Sequence, residues 1–247
     1  MANDYIIGKN PVIEALKSER EINKIWIAEG SVRGQMTQIT SLAKENHVLV
    51  QFVPKKKIDQ MVEGNHQGVV AQVAAYEYVE VDEFFSIAKE RNENPFILIL
   101  DEIEDPHNLG SILRTADAVG AHGVIIPKRR AVGLTTTVAK ASTGAIEYVP
   151  VARVTNIART LDELKDRGVW IVGTDAKGKE DYRNLDGKMS IGLVIGSEGK
   201  GIGRLIKDKC DFLIRLPMQG KVTSLNASVA ASLLMYEVYR KRNPLGE

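Results

Sequence analysis

Hydrophobic positions follow two regimes along the chain. Up to Tyr76 they come in short segments of changing period. Ile22–Ala28 alternates as a strand does, Val48–Val53 and Gly68–Ala75 read as two more strands, and helical spacing fits Asn10–Lys17, Met36–Asn46 and Lys56–Val62. Pro11 suits the first turn of its helix. Three strands interleaved with helices predict a small α/β unit. From Pro95 the apolar runs are longer and continuous: Phe96–Leu100, Gly123–Ile126, Val169–Gly173, Ile191–Ile195 and Phe212–Leu216. Helical patterns separate them at Leu109–Val119, Thr135–Ala141, Ile157–Arg167 and Ile202–Lys207. Strands buried on both faces and alternating with helices predict a parallel sheet covered on each side. Between the regimes lies Glu77–Glu93, acidic and then mixed in charge, which reads as a linker with a short helix. The expected organisation is a domain at 1–76, a linker at 77–94 and a larger domain at 95–247.

Ligands of parallel sheets bind where the strands end at their carboxyl side. Three such ends carry distinctive loops: Asp101–Gly110, Gly196–Gly203 and Pro217–Asn226. After the first, Asn108 stands at a helix start as a possible cap, and Arg114 falls off the apolar stripe of Leu109, Ile112, Leu113, Ala116 and Val119. On position alone these are a cap and a surface charge. The second loop, Gly196-Ser197-Glu198-Gly199-Lys200-Gly201, lets the backbone come close to a ligand, or is simply a tight turn with a solvated Glu198. It satisfies neither the dinucleotide fingerprint nor the P-loop, since Lys200 precedes glycine. The third runs into a helix that opens on small residues, Ala227, Ser228, Ala230, Ala231 and Ser232. Ser224 or Asn226 can cap it, and Val229, Leu233, Leu234 and Tyr236 form an apolar stripe.

These three stretches, DPHNLGSILRTADAVGA at Asp105–Ala121, IGLVIGSEGKGI at Ile191–Ile202 and FLIRLPMQGKVTSLNASVAASLLMY at Phe212–Tyr236, resemble in order and spacing the three motifs of the SpoU/TrmH family of RNA ribose 2′-O-methyltransferases, which belong to the SPOUT class. GKNPVIEAL at Gly8–Leu16 and HQGVVAQV at His66–Val73 resemble the substrate-binding domain of one subgroup, which contains an enzyme that methylates a guanosine of bacterial 23S ribosomal RNA. The resemblance implies an L30e-like, RNA-binding N-terminal domain and a C-terminal SPOUT domain with a deep trefoil knot. It implies a homodimer with the active site near the interface and S-adenosylmethionine as cofactor. It assigns catalytic roles to Asn108, Arg114, Glu198, Ser224 and Asn226. It places the cofactor against Gly196, Leu216 and Leu225, with Thr174, in the loop after VWIVG, as a further wall.

Charge refines this picture. Thirty-three Lys and Arg nearly balance 32 Asp and Glu, so an RNA surface must be a local patch. Three basic clusters are available: Lys55–Lys57, Lys128–Arg130 and Arg240–Arg242. Lys128–Arg130 follows a strand near the presumed active face and is the expected backbone contact. The four histidines are scattered, and methyl transfer from a sulfonium needs no metal. One cysteine, Cys210, excludes an intramolecular disulfide and reads as a small apolar residue. With no leader pattern at the start and no run of membrane-spanning length, a cytoplasmic protein is expected. The expected substrate is 23S ribosomal RNA or an assembling large subunit. The alternatives are a transfer-RNA ribose methyltransferase and a non-catalytic RNA-binding assembly factor.

Overall fold

The computed structural model describes residues 5–17, 21–30, 34–74, 76–221 and 224–245. The chain divides into two units, Met1–Glu77 with Gly133–Thr136, and Tyr78–Val132 with Thr137–Glu247.

The first unit runs β1 (Tyr5–Ile7), α1 (Lys9–Lys17), β2 (Ile22–Ala28), α2 (Gln35–Glu45), β3 (Leu49–Val53), α3 (Lys55–Met61) and β4 (Val69–Val73). Its sheet has the order β1-β4-β2-β3. β2 and β3 are parallel, and β4 is antiparallel to both β1 and β2. One face is covered by α1 and α2, through Val12, Leu16, Met36 and Ile39 against Ile25, Ile27 and Ala71. The other receives Ile58 of α3 against Trp26, Val53 and Val70. Three strands are expected from the sequence and four form. At three residues β1 is too short to show a period. Ala75, expected to close the last strand, lies outside the described residues.

The second unit contains α4 (Val81–Glu90), β5 (Phe96–Leu100), α5 (Pro106–Ala118), β6 (Gly123–Pro127), α6 (Thr136–Ser142), β7 (Val151–Val154), α7 (Ile157–Asp166), β8 (Trp170–Thr174), β9 (Glu180–Asp181), β10 (Ile191–Ile195), α8 (Arg204–Asp208), β11 (Phe212–Arg215) and α9 (Ala227–Arg242). Its sheet has the order β7-β6-β5-β10-β8-β11-β9, and every neighbouring pair is parallel. All five residues of β5 and of β10 are buried, which is why these strands read as unbroken apolar runs. Ile97, Ile99, Ile125, Ile171 and Val194 pack under α4, α7 and α8. By strand alternation their neighbours face the opposite side, where α5 and α9 pack on each other and on β6 and β10.

The stretch read as a linker is part of this unit's core. Val79 bridges to Ala152, and Phe84 of α4 is fully buried. Its ring fills the space where a Cβ on Gly123 would sit, 2.2–2.5 Å away, so only glycine fits at the start of β6.

The C-terminal segment turns back across the sheet. β11 enters between β8 and β9, and α9 lies between α5 and the segment Tyr182–Met189. Arg242 closes the end of α9 by donating to the carbonyls of Gly187, Asn94, Pro95 and Met189 at 2.7–3.2 Å. Arg240 and Lys241 both reach Glu237. The third basic cluster is therefore structural. Among the described residues, no helix is long and apolar enough to cross a membrane.

Candidate active site

Because β5, β8, β10 and β11 point the same way, their carboxyl ends deliver four loops to one edge of the sheet. The loop after β5 is tied once to the end of β10 and once to the loop that follows it. Asp101 N–H donates to the Ile195 carbonyl at 2.8 Å, and Asp101 Oδ2 accepts Gly203 N–H at 2.8 Å. Burial raises the pKa of the Asp101 carboxyl, and the Gly203 bond offsets part of that rise.

α5 begins at Pro106, three residues before the expected start. Asp105 caps it, accepting His107 N–H at 2.9 Å, and Pro106 takes a position where a missing N–H costs nothing. Asn108 is thus a half-buried residue inside the first turn rather than the cap. Arg114 is exposed and, among the described residues, has no ion-pair partner.

The second loop is a tight turn. Gly201 N–H donates to the Ser197 carbonyl at 2.9 Å, and Gly199 and Gly201 take φ values of 85° and 67°, open to glycine at little cost. A Cβ on Gly196 would lie 2.1–2.3 Å from the Gly201–Ile202 backbone. The first demand on Gly196 comes from the loop itself.

The turn presents Glu198, whose Oε2 accepts from Asn226 Nδ2 at 3.4 Å. Asn226 is the cap of α9: its Oδ1 accepts Ser228 N–H at 2.9 Å, Val229 N–H at 3.4 Å and the Ser228 hydroxyl at 2.6 Å. The second and third motifs therefore meet at one amide. Thr115 of α5 and Ser232 of α9 bring their hydroxyls to 3.0 Å, which holds the first motif's helix against the third's. Neither Asn108 nor Arg114 makes a side-chain hydrogen bond to Glu198, Ser224 or Asn226 among the described residues. Ser224 is exposed, and the Val222 and Thr223 that precede it lie outside the described residues.

Thr174, expected in the loop after VWIVG, is the last residue of β8, where its hydroxyl donates to the Val194 carbonyl at 3.4 Å and joins strands instead of facing outward. Next to it, Asp175 pairs with Lys207 of α8 at 2.6 Å. That bond and the Lys177 amide lower the Asp175 carboxyl pKa.

The backbone groups of Leu216 and Leu225 make no backbone hydrogen bond among the described residues, although both residues are half-buried. Unpaired main-chain donors and acceptors beside apolar side chains suit the edge of an adenine ring. S-adenosylmethionine fits such a donor set. Among the described residues, no three His, Cys, Asp or Glu side chains gather as metal ligands would.

Sequence reasoning assigns no bonding partner to Asp101, Asp105, Asp175 or Ser228. Asp105-Pro106 is a helix-start signature in plain view. Asp101 and Asp175 act across the sheet, on Gly203 and Lys207, and no local signal finds such partners.

The model of the SpoU rRNA Methylase family matches residues 95–236, and that of RNA 2′-O ribose methyltransferase substrate binding matches residues 5–79. A protein of Bacillus subtilis (strain 168), provisionally named TrmH family tRNA/rRNA methyltransferase YacO, is 72% identical over 245 residues, covering 99% of this chain and 98% of its own. Among solved structures, the SpoU methyltransferase AviRb from Streptomyces viridochromogenes in complex with AdoMet superposes with a TM-score of 0.62 at 25% identity. That likeness covers 96% of this chain and 90% of AviRb. An AdoMet-bound rRNA methyltransferase from Sinorhizobium meliloti gives 0.59 at 28% identity, covering 96% and 86%.

Proposed function

The chain belongs to the SpoU rRNA methylase family, and from that membership we propose that it transfers the methyl group of S-adenosylmethionine to the ribose 2′-hydroxyl of a guanosine in 23S ribosomal RNA, as a homodimer. The observation that carries the reading is that the second and third motifs meet through Glu198–Asn226 and the first and third through Thr115–Ser232, beside strand ends tied by Asp101–Gly203.

Bound S-adenosylmethionine supplies a methyl on an activated sulfonium, so the protein has to align the acceptor oxygen and exclude water. Main-chain groups of Leu216 and Leu225 would hold the adenosine part, and Gly196 would line the same site. Thr174, its hydroxyl turned to Val194, serves only as a wall. Glu198 and Asn226 fix each other, and with Ser224 and Asn108 they line the reaction centre.

Arg114 carries the acceptor. A guanidinium stays protonated at accessible pH, so it works as a fork that grips the adjacent phosphate and stabilises alkoxide charge as the hydroxyl proton leaves. Lys128 and Arg129 contribute to the RNA backbone contact. Arg130 is withdrawn from it by its bond to Glu102 at 2.7 Å.

The test offers labelled S-adenosylmethionine with unmodified 23S ribosomal RNA and unmodified transfer RNA, followed by mapping of the product. Label in a 2′-O-methylguanosine of 23S RNA is expected. Label in transfer RNA alone keeps the chemistry and overturns the substrate. Arg114→Ala is expected to lower kcat/KM by about 100-fold or more, with Arg114→Lys recovering little. A lysine variant of near-parental rate defeats the fork.

A further inference from the structure

One residue outside the three motifs grips both ends of the Gly196–Gly203 loop. Asp101 follows the last residue of β5, the strand between β6 and β10. Its N–H holds the Ile195 carbonyl, where the chain leaves β10. Its Oδ2 accepts the N–H of Gly203, where the chain enters α8. Both bonds are 2.8 Å long. Between these points the loop is crossed by the bond from Gly201 N–H to the Ser197 carbonyl, and Ile202 is buried in the core.

The residues after Asp101 make it a fixed support. Glu102 turns the backbone with a φ of 59°, a left-handed conformation uncommon in residues other than glycine. Two adjacent carboxylates then serve opposite neighbours. Asp101 reaches the loop after β10, and Glu102 bonds Arg130, after β6, at 2.7 Å. Arg130 is left-handed too, with a φ of 55°. The Ile103 carbonyl next accepts Val132 N–H at 3.0 Å. The loop after β5 is therefore bound from both sides.

The bond to Gly203 does not serve a buried amide. Gly203 is exposed, so water can take its N–H. The Asp101 carboxylate is half-buried. Burial raises its pKa, and of the groups that face it Gly203 N–H and Arg130 lower the pKa while Glu102 raises it further. The fold thus keeps a carboxylate where its charge is disfavoured and uses it to hold an amide that solvent could serve. Local costs of this kind, without a matching gain in stability, mark functional constraints. What the loop presents is Glu198, exposed and held, among the described residues, by Asn226 alone at 3.4 Å. Its position follows the loop.

We propose that Asp101 is a positioning residue for methyl transfer, fixing both ends of the Gly196–Gly203 loop so that Glu198 stays against Asn226. The proposal rests on the methyl-transfer reading above and adds to it a residue that acts through others and not on the reacting atoms.

The experiment measures single-turnover methylation at saturating labelled S-adenosylmethionine, over a range of whichever RNA the parent modifies, 23S ribosomal or transfer. It compares the parent with Asp101→Ala, Asp101→Asn and Gly203→Pro. The proline variant deletes the donor itself at a φ of −57°, which proline shares. Asp101→Ala and Gly203→Pro are expected to lose about tenfold or more in the rate at saturating RNA, as misplacement does. The RNA concentration for half-maximal rate and the melting temperature should stay near the parental values. Asp101→Asn keeps an oxygen for Gly203 N–H and is expected to stay within about threefold of the parent, a neutral acceptor being the weaker one.

Parental rates in Asp101→Ala and Gly203→Pro overturn the proposal. So does a loss in Asp101→Asn as large as in Asp101→Ala, since the charge and not the bond would then matter. A loss that comes with a lower melting temperature and no recovery in Asp101→Asn makes the residue merely structural. Should Asp101→Ala fail to fold, Gly203→Pro cuts the same bond from the other side and decides alone. A parent that methylates neither RNA removes this role together with the enzyme reading, whereas an active parent with unaffected variants removes this role only.

Discussion

Asn226 does two jobs with one amide. Three donors converge on Oδ1, the Ser228 and Val229 amides and the Ser228 hydroxyl, so the amide cannot flip and Nδ2 is left to face Glu198. The two jobs can be separated. Asn226→Asp keeps an oxygen for the helix amides and adds a charge that a helix start favours. It also replaces the donor toward Glu198 with a second anion. Stability within about 0.5 kcal/mol of the parent is expected, together with at least a tenfold loss of methyl transfer. Asn226→Ala removes both functions, with about 1 kcal/mol lost from the cap. Thermal melts and single-turnover rates check this. An aspartate variant at full rate would show that the contact with Glu198 has no part in the chemistry. Sequence position alone leaves Ser224 and Asn226 as equal candidates for the cap, and only the geometry separates them.

At the scale of elements, α9 shows where a periodic pattern misleads. Val229, Leu233, Leu234 and Tyr236 read as one stripe, but the helix uses two faces. Ala227, Ala231, Leu234, Met235 and Val238 are buried within the unit, while Val229, Leu233 and Tyr236 stay 44–51% exposed. Periodicity reports that apolar residues want cover, and it does not say whether the cover is the same chain. The exposed face, extended by Tyr239, lies on the helix that Asn226 caps, next to the proposed reaction centre. A second copy of the chain suits it. Light scattering should give about twice the 27.2 kDa of one chain, and L233E/Y236E should halve that mass without lowering the melting temperature much, since both residues face outward in the monomer. A parent of single-chain mass sinks the dimer. The long strands β5 and β10 were legible because they are buried on both faces. β7, β9 and β1 were not, being short or placed at sheet edges where burial is partial.

For the whole molecule, the layer order followed from composition patterns, whereas the crossing of β11 and α9 did not, because strand order is a long-range property that no local period encodes. The same holds for His122, which reads as one of four scattered histidines and proves to be a buried joint between α4, β5 and β6. Its backbone donates to the Phe96 carbonyl at 2.8 Å. Its Nδ1 accepts Phe96 N–H at 2.9 Å, and its Nε2 meets Glu93 at 3.0 Å. With Nδ1 accepting, the proton must sit on Nε2, and the folded state holds the neutral ring. Burial lowers the His122 pKa from its ordinary 6.5, against the pull of Glu93, and a proton added at Nδ1 would also have to displace the Phe96 donor. The unfolded chain takes up this proton near the ordinary value and the folded chain only at lower pH. Its contribution to stability is complete above about pH 6.5 and is lost as pH falls toward the lowered value. Melting temperature should therefore drop between about pH 7.5 and 5.5, while His122→Gln starts lower and changes less over the same window. Equal slopes for parent and variant would mean that the acid sensitivity of this fold arises elsewhere.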